Sequence, residues 1–117
     1  MFELMVEETF DAAHALREYE GPCENLHGHT WKVQVYLQGE KLNRLGLLED
    51  FKVIRKELKE TLKDYDHNYL NEVAPFQAIN PTSENLAALI HKKLKKVFKS
   101  VSKVTIWESE TTNASFF

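Results

Sequence analysis

Apolar and polar residues alternate most clearly along Thr30-Trp31-Lys32-Val33-Gln34-Val35-Tyr36-Leu37, with Trp31, Val33, Val35 and Leu37 on one side. That period predicts a strand with one buried face. Upstream, Val6, Phe10, Ala12 and His14 share a parity, and residues 2 to 15 predict a strand that bends near Ala12-Ala13. Gly21, Pro22, Asn25 and Gly28 predict a loop over residues 16–28, and Gly39 and Gly46 bracket a connection read as partly extended. The period then changes. Phe51, Ile54, Leu58 and Leu62 recur at helical spacing behind the capping residue Asp50. A second helix opens at Thr82 or Ser83, carries Glu84 in its first turn and turns Leu86, Ile90, Leu94 and Val97 inward. Between the helices, residues 64–81 with Pro75 and Pro81 predict a long loop, and loops of that length are more often functional than short ones. Val101 to Glu110 and Asn113 to Phe117 predict two last strands.

The order β-β-α-α-β-β specifies an α+β fold, an antiparallel sheet with two helices on one face. Such a sheet has two edges, each blunted or paired with another subunit. At 117 residues a single domain over 1–117 is expected, and so small a core encloses little volume, so a sizeable ligand site calls for an oligomer. With 15 Lys and Arg against 18 Asp and Glu, the net charge of -3 argues against a nucleic-acid partner. The single cysteine excludes an intramolecular disulfide. No apolar run approaches the ~20 residues of a spanning helix, and the acidic start is unlike a secretory signal, so the expected compartment is the cytoplasm, with no membrane partner. Lys92, Lys93, Lys95, Lys96 and Lys99 read as a solvated helix face, with attraction of an anionic substrate as the alternative; His91 among them reads as a surface residue.

The sharpest chemical feature is His27-Gly28-His29. Side chains at i and i+2 of an extended segment point the same way and set two imidazoles side by side, while Gly28 adds nothing to crowd them. His14 ends the same-parity set of the first strand, so pairing of the two strands brings a third imidazole to the spot. Three neutral imidazoles with an open position match a catalytic zinc site, though imidazole also suits iron, nickel and copper. Cys23 lies four residues before His27. Two readings stand for it: an inert buried small hydrophobe, or a thiolate stabilised by the nearby cation and usable as base or nucleophile. In Asp66-His67 a carboxylate beside an imidazole can fix its tautomer and raise its basicity. Glu108 shares the parity of Val104 and Ile106 and so places a carboxylate on an apolar face. Either the face ends in solvent there or a ligand supplies hydrogen-bond donors, as adjacent N–H groups of a planar heterocycle would.

Taken together, Phe10-Asp-Ala-Ala-His14, Cys23-Glu-Asn-Leu-His-Gly-His29, Asp66-His-Asn-Tyr-Leu-Asn71, Asn80-Pro-Thr-Ser-Glu-Asn85 and Trp107-Glu-Ser109 resemble the 6-pyruvoyl-tetrahydropterin synthase / 6-carboxy-tetrahydropterin synthase family. The resemblance runs in order from residue 10 to 110. It implies a tunnelling fold whose subunits join into trimeric barrels that stack into a homohexamer, a dimer of trimers, with active sites between subunits. It further implies one zinc per subunit held by His14, His27 and His29, Cys23 as general base, Asp66 and His67 as its proton-relay partners, and Glu108 anchoring the pterin ring with Thr82 and Ser83 near it. The implied reaction is a lyase conversion of 7,8-dihydroneopterin triphosphate to 6-carboxy-5,6,7,8-tetrahydropterin, with acetaldehyde and triphosphate, toward queuosine and other 7-deazaguanines. A coherent chemistry accompanies it: a Lewis-acidic metal acidifies bound hydroxyls, and proton transfers near neutral pH come within reach of Cys23 and His67.

The three residues between Cys23 and His27 favour the carboxy-tetrahydropterin side of the family, whose 6-pyruvoyl members have more. Glu24 stands three before His27, as in a variant group that uses Glu as base and cleaves dihydroneopterin phosphates by retro-aldol chemistry to 6-hydroxymethyl-dihydropterin for folate-type pathways. Carrying both residues, the chain is expected to make the carboxy product and to be open to the second activity. A cupin-like metal module is disfavoured by the two helical periods.

Overall fold

The computed structural model describes residues 1–18 and 25–117. Its elements are β1 (Phe2–His14), β2 (His27–Gly39), α1 (Phe51–Leu62), β3 (Asn68–Tyr69), α2 (Ser83–Val97), β4 (Val101–Trp107) and β5 (Asn113–Phe116), with a 3-10 turn at Leu70–Glu72. The sheet order is β3-β1-β2-β4-β5. The expected α+β architecture is present, and the sheet corrects it in one respect: β3, inside the segment read as a loop, adds a fifth strand that pairs parallel with β1. Two residues are too short to print a period of alternation, which is why no pattern announced it.

β1 and β2 pair antiparallel in one unbroken register from Phe2 opposite Gly39 to His14 opposite His27, so the expected irregularity at Ala12-Ala13 does not interrupt the ladder. β2 begins at His27, earlier than the apolar alternation required, because β1 supplies a partner for every residue down to His14. Residues 40–50 contain no strand, against the partly extended reading. Between Tyr36 and Leu37 the β2–β4 register shifts, and this irregularity lets Val101 join Val104 and Ile106 in the core.

The core is one cluster. Val6, Phe10, Trp31, Val33, Val35, Leu37, Val104 and Ile106 of the sheet meet Ile54, Leu58, Leu62, Leu86, Ile90 and Leu94 of the helices. Phe51 and Val97, placed inward by their spacing, are exposed because each ends its helix beyond the sheet's cover. Asp50 caps α1 through the Lys52 N–H, and Thr82 caps α2 through the Asn85 N–H. His91 is partly buried with its ring against Phe116 at 5.0 Å between centroids, not a free surface residue. None of the described helices is long and apolar enough to cross a membrane.

Candidate metal centre

The core parity of β1 and β2 continues into the histidines. His14 follows Phe10 and Ala12, and His27 and His29 precede Trp31, so all three imidazoles emerge where the apolar face of the sheet ends. Register then sets them together: His14 lies opposite His27, and His29 lies opposite Ala12. The ring centroids are 4.5 Å apart for His14–His27, 4.7 Å for His27–His29 and 5.2 Å for His14–His29.

Two backbone carbonyls settle which nitrogens face inward. His14 Nδ1 lies 2.8 Å from the Pro81 carbonyl oxygen and His27 Nδ1 lies 2.7 Å from that of Asn25. A carbonyl only accepts, so Nδ1 carries a proton in both rings, and in the neutral form of each Nε2 is the nitrogen with the free lone pair. Burial depresses the His14 and His29 pKa values below the usual imidazole range, against the opposing pull of the Glu108 carboxylate on both and of the Pro81 carbonyl on His14. Both are therefore neutral near pH 7, the form that ligates a metal.

Glu108 stands just past the end of β4 yet keeps the parity of Val104 and Ile106, as its position in the sequence implied. Its Oε1 is 3.1 Å from His29 Nε2 and 3.9 Å from His14 Nε2, while Oε2 accepts the Ser83 hydroxyl at 3.1 Å. The His29 contact is close without being aligned as a hydrogen bond. His14 Nε2 and His29 Nε2 are buried with no hydrogen-bond partner among the described residues. Buried polar atoms are rarely orphaned, and ligand atoms of His14, His27, His29 and Glu108 all lie within 4.8 Å of one another. Orphaned nitrogens where three imidazoles converge are what a metal ion would satisfy, so the histidines present fit one, with the Glu108 carboxylate at the rim.

A family model described as 6-pyruvoyl tetrahydropterin synthase matches residues 3–117. The chain belongs to that family. It is 34% identical to a 6-carboxy-5,6,7,8-tetrahydropterin synthase of Synechocystis over all of this chain and 94% of that protein. It is also 34% identical to a dihydroneopterin monophosphate aldolase of Pyrococcus furiosus, over 86% of this chain and 83% of that one. The solved structure of Caenorhabditis elegans 6-pyruvoyl tetrahydropterin synthase superposes with a TM-score of 0.90 at 30% identity, covering 98% of this chain and 94% of that one. The tunnelling fold of these synthases is the fold of this chain.

The remaining candidates divide. Ser83 reaches Glu108, whereas Thr82 spends its hydroxyl on the α2 cap. Asp66 and His67 form a second cluster with Asp11. The Asp11 N–H donates to Asp66 Oδ1 at 2.9 Å, His67 Nδ1 lies 3.0 Å from Asp66 Oδ2, and Thr30 donates to Asp11 Oδ1 at 2.5 Å. The Asp11 N–H, then the His67 side chain, hold the Asp66 carboxyl below its ordinary pKa. Asp11 and Thr30 have the parity opposite to His14, His27 and His29, so this cluster edges the other face of the sheet, beside an open depression of about 580 Å³. Gly28 takes that face too: a side chain there would line the depression, which corrects the reading that its absence keeps the imidazoles uncrowded. Cys23 and Glu24 lie outside the described residues. Sequence reasoning missed Pro81 and Asn25 as orienters of the imidazoles, since a carbonyl leaves no mark in residue type.

Proposed function

We propose that residues 1–117 form one tetrahydropterin-synthase domain, a zinc-dependent lyase that converts 7,8-dihydroneopterin triphosphate to 6-carboxy-5,6,7,8-tetrahydropterin with release of acetaldehyde and triphosphate. The observation that carries this reading is the pair of buried Nε2 atoms of His14 and His29, without a hydrogen-bond partner among the described residues, beside His27 and Glu108, in a chain of this family. His14, His27 and His29 would hold the ion, which supplies Lewis acidity toward the substrate's side-chain hydroxyls. Glu108, steadied by Ser83, accepts the adjacent N–H donors of the pterin ring, and Thr82 lies at the start of the same helix. Cys23 takes a side-chain proton as general base. Asp66 holds the His67 Nδ1 proton, which leaves Nε2 to receive and return a proton. Because this pair edges the sheet face opposite the metal ligands, it serves a centre completed by another copy of the chain, in keeping with a homohexamer built as a dimer of trimers. The compartment is the cytoplasm, and the product feeds 7-deazaguanine (queuosine) synthesis.

A second reading is favoured by the likeness to a protein named dihydroneopterin monophosphate aldolase: retro-aldol cleavage to 6-hydroxymethyl-dihydropterin with Glu24 as base. The test is anaerobic incubation of zinc-loaded protein with 7,8-dihydroneopterin triphosphate and mass identification of every pterin formed, for the wild type, Cys23→Ala and Glu24→Ala. The carboxy product should vanish with Cys23 and any hydroxymethyl product with Glu24. A 6-pyruvoyl product, or no turnover by metal-replete protein, overturns the assignment, and loss of both products together in each variant overturns the two-base division.

A further inference from the structure

Two motif asparagines, Asn71 and Asn80, have no part in the chemistry above, and both address the backbone just beyond His14. Asn71 Oδ1 accepts the Ala15 N–H at 3.0 Å while its Nδ2 donates to the Ala15 carbonyl at 2.8 Å. Asn80 repeats the pattern two residues on, with Oδ1 accepting the Arg17 N–H at 2.8 Å and Nδ2 donating to the Arg17 carbonyl at 3.0 Å. In an extended chain the backbone groups of residues i and i+2 face the same edge. Asp11, Ala13, Ala15 and Arg17 form such a series. Asp11 is met by Asp66 Oδ1 and by the His67 N–H, and Ala13 pairs with Tyr69 of β3. Past His14 the strand partner is replaced by two side-chain carboxamides.

Arg17 ties the other end. Its guanidinium donates to the carbonyls of Phe76 at 2.7 Å and of Asn71 and Ile79 at 3.2 Å each. Asn80 is bonded in turn by Asn85, whose Nδ2 donates to the Asn80 carbonyl at 2.8 Å. The next carbonyl along, that of Pro81, is the one that accepts from His14 Nδ1. The residue that clamps Arg17 is thus the neighbour of the group that orients a metal ligand.

We propose that Asn80, braced by Arg17 and Asn71, is a positioning residue of the metal centre: its two-pronged grip on Arg17 holds the Pro81 carbonyl against His14 and thereby aims His14 Nε2 at His27 and His29. The inference rests on the reading of these histidines as metal ligands. Partners that orient a ligating histidine are typically worth about 10–100-fold in metal affinity.

The experiment is competition of the full chain with a chromophoric chelator for zinc, together with the absorption spectrum of the cobalt(II)-substituted protein. It compares the wild type, Asn80→Ala and Asn43→Ala, the last removing an asparagine that only braces its own turn through the Leu45 and Leu47 N–H groups. Asn80→Ala should lose about 10–100-fold in zinc affinity and shift the cobalt bands, while Asn43→Ala keeps both. Asn80→Asp keeps the Oδ1 acceptor for the Arg17 N–H and loses the Nδ2 donor to the Arg17 carbonyl, and it carries the test if Asn80→Ala does not fold. Wild-type affinity and spectrum in the clamp variant, or an equal loss in Asn43→Ala, overturns the inference alone. A wild type that binds neither metal overturns the metal reading and this inference with it.

Discussion

Gly28→Ala separates the two faces of the sheet. Gly28 sits between His27 and His29, so a sequence motif alone suggests that a methyl group there damages the proposed metal centre. The structure predicts otherwise. Its two chain neighbours apart, a Cβ at Gly28 meets nothing closer than the Ala12 carbonyl oxygen at 4.0 Å, ordinary van der Waals contact, and its backbone is not in the left-handed region. By the alternation of the strand the methyl would project from the face opposite the three imidazoles, over the depression that Asp11, Thr30 and His67 line together with His29. Glycine inside a strand costs roughly 0.5–1 kcal/mol relative to alanine through the entropy of the unfolded chain, so the variant should gain about that much stability. For a chain of this length the gain corresponds to a rise of about 2–6 °C in Tm. Thermal unfolding of the metal-free protein and a zinc competition titration measure the two quantities separately. A lower Tm, or a tenfold loss of zinc affinity, equivalent to about 1.4 kcal/mol, would refute the assignment of Gly28 to the far face.

Two further outcomes follow from single contacts. Thr82→Ala removes the hydroxyl that accepts the Asn85 N–H at the start of α2, and calorimetry should show a loss of about 1 kcal/mol; an unchanged Tm would mean that the cap contributes nothing. Asp66, whose folded pKa is depressed chiefly by the Asp11 N–H, binds its proton more weakly folded than unfolded. Its stabilisation is therefore fully present above the ordinary carboxylate value of about 3.9 and is lost as pH falls through that value toward the folded pKa. Denaturant unfolding of Asp66→Asn should show a shallower fall in stability in that acid window, and parallel curves for variant and wild type would contradict the sign.

Some of this molecule was legible without coordinates because it rests on period and local chemistry. Alternation through Trp31, Val33, Val35 and Leu37 sets the buried face of β2, and the shared parity in β1 puts His14 in phase with Val6 and Phe10, whereas His27, read as part of a loop, joins that face only through its pairing with β1. Asp50 and Thr82 declare both helix starts, since a capping side chain needs only its neighbours. Glu108 was suspect for the same reason, a carboxylate in phase with Val104 and Ile106. What required the fold was whatever depends on register between distant segments. Pairing of His14 with His27, and not with a residue one step away, puts three imidazoles within 5.2 Å, and a slip of one residue would have turned one strand's imidazoles to the other face. The parallel strand β3 and the location of Asp66-His67 against Asp11 are likewise contacts between segments 55 residues or more apart, invisible to any local period. The orienting carbonyls of Pro81 and Asn25 belong to the backbone, which every residue carries alike, so only the tertiary structure selects which of them meet a histidine.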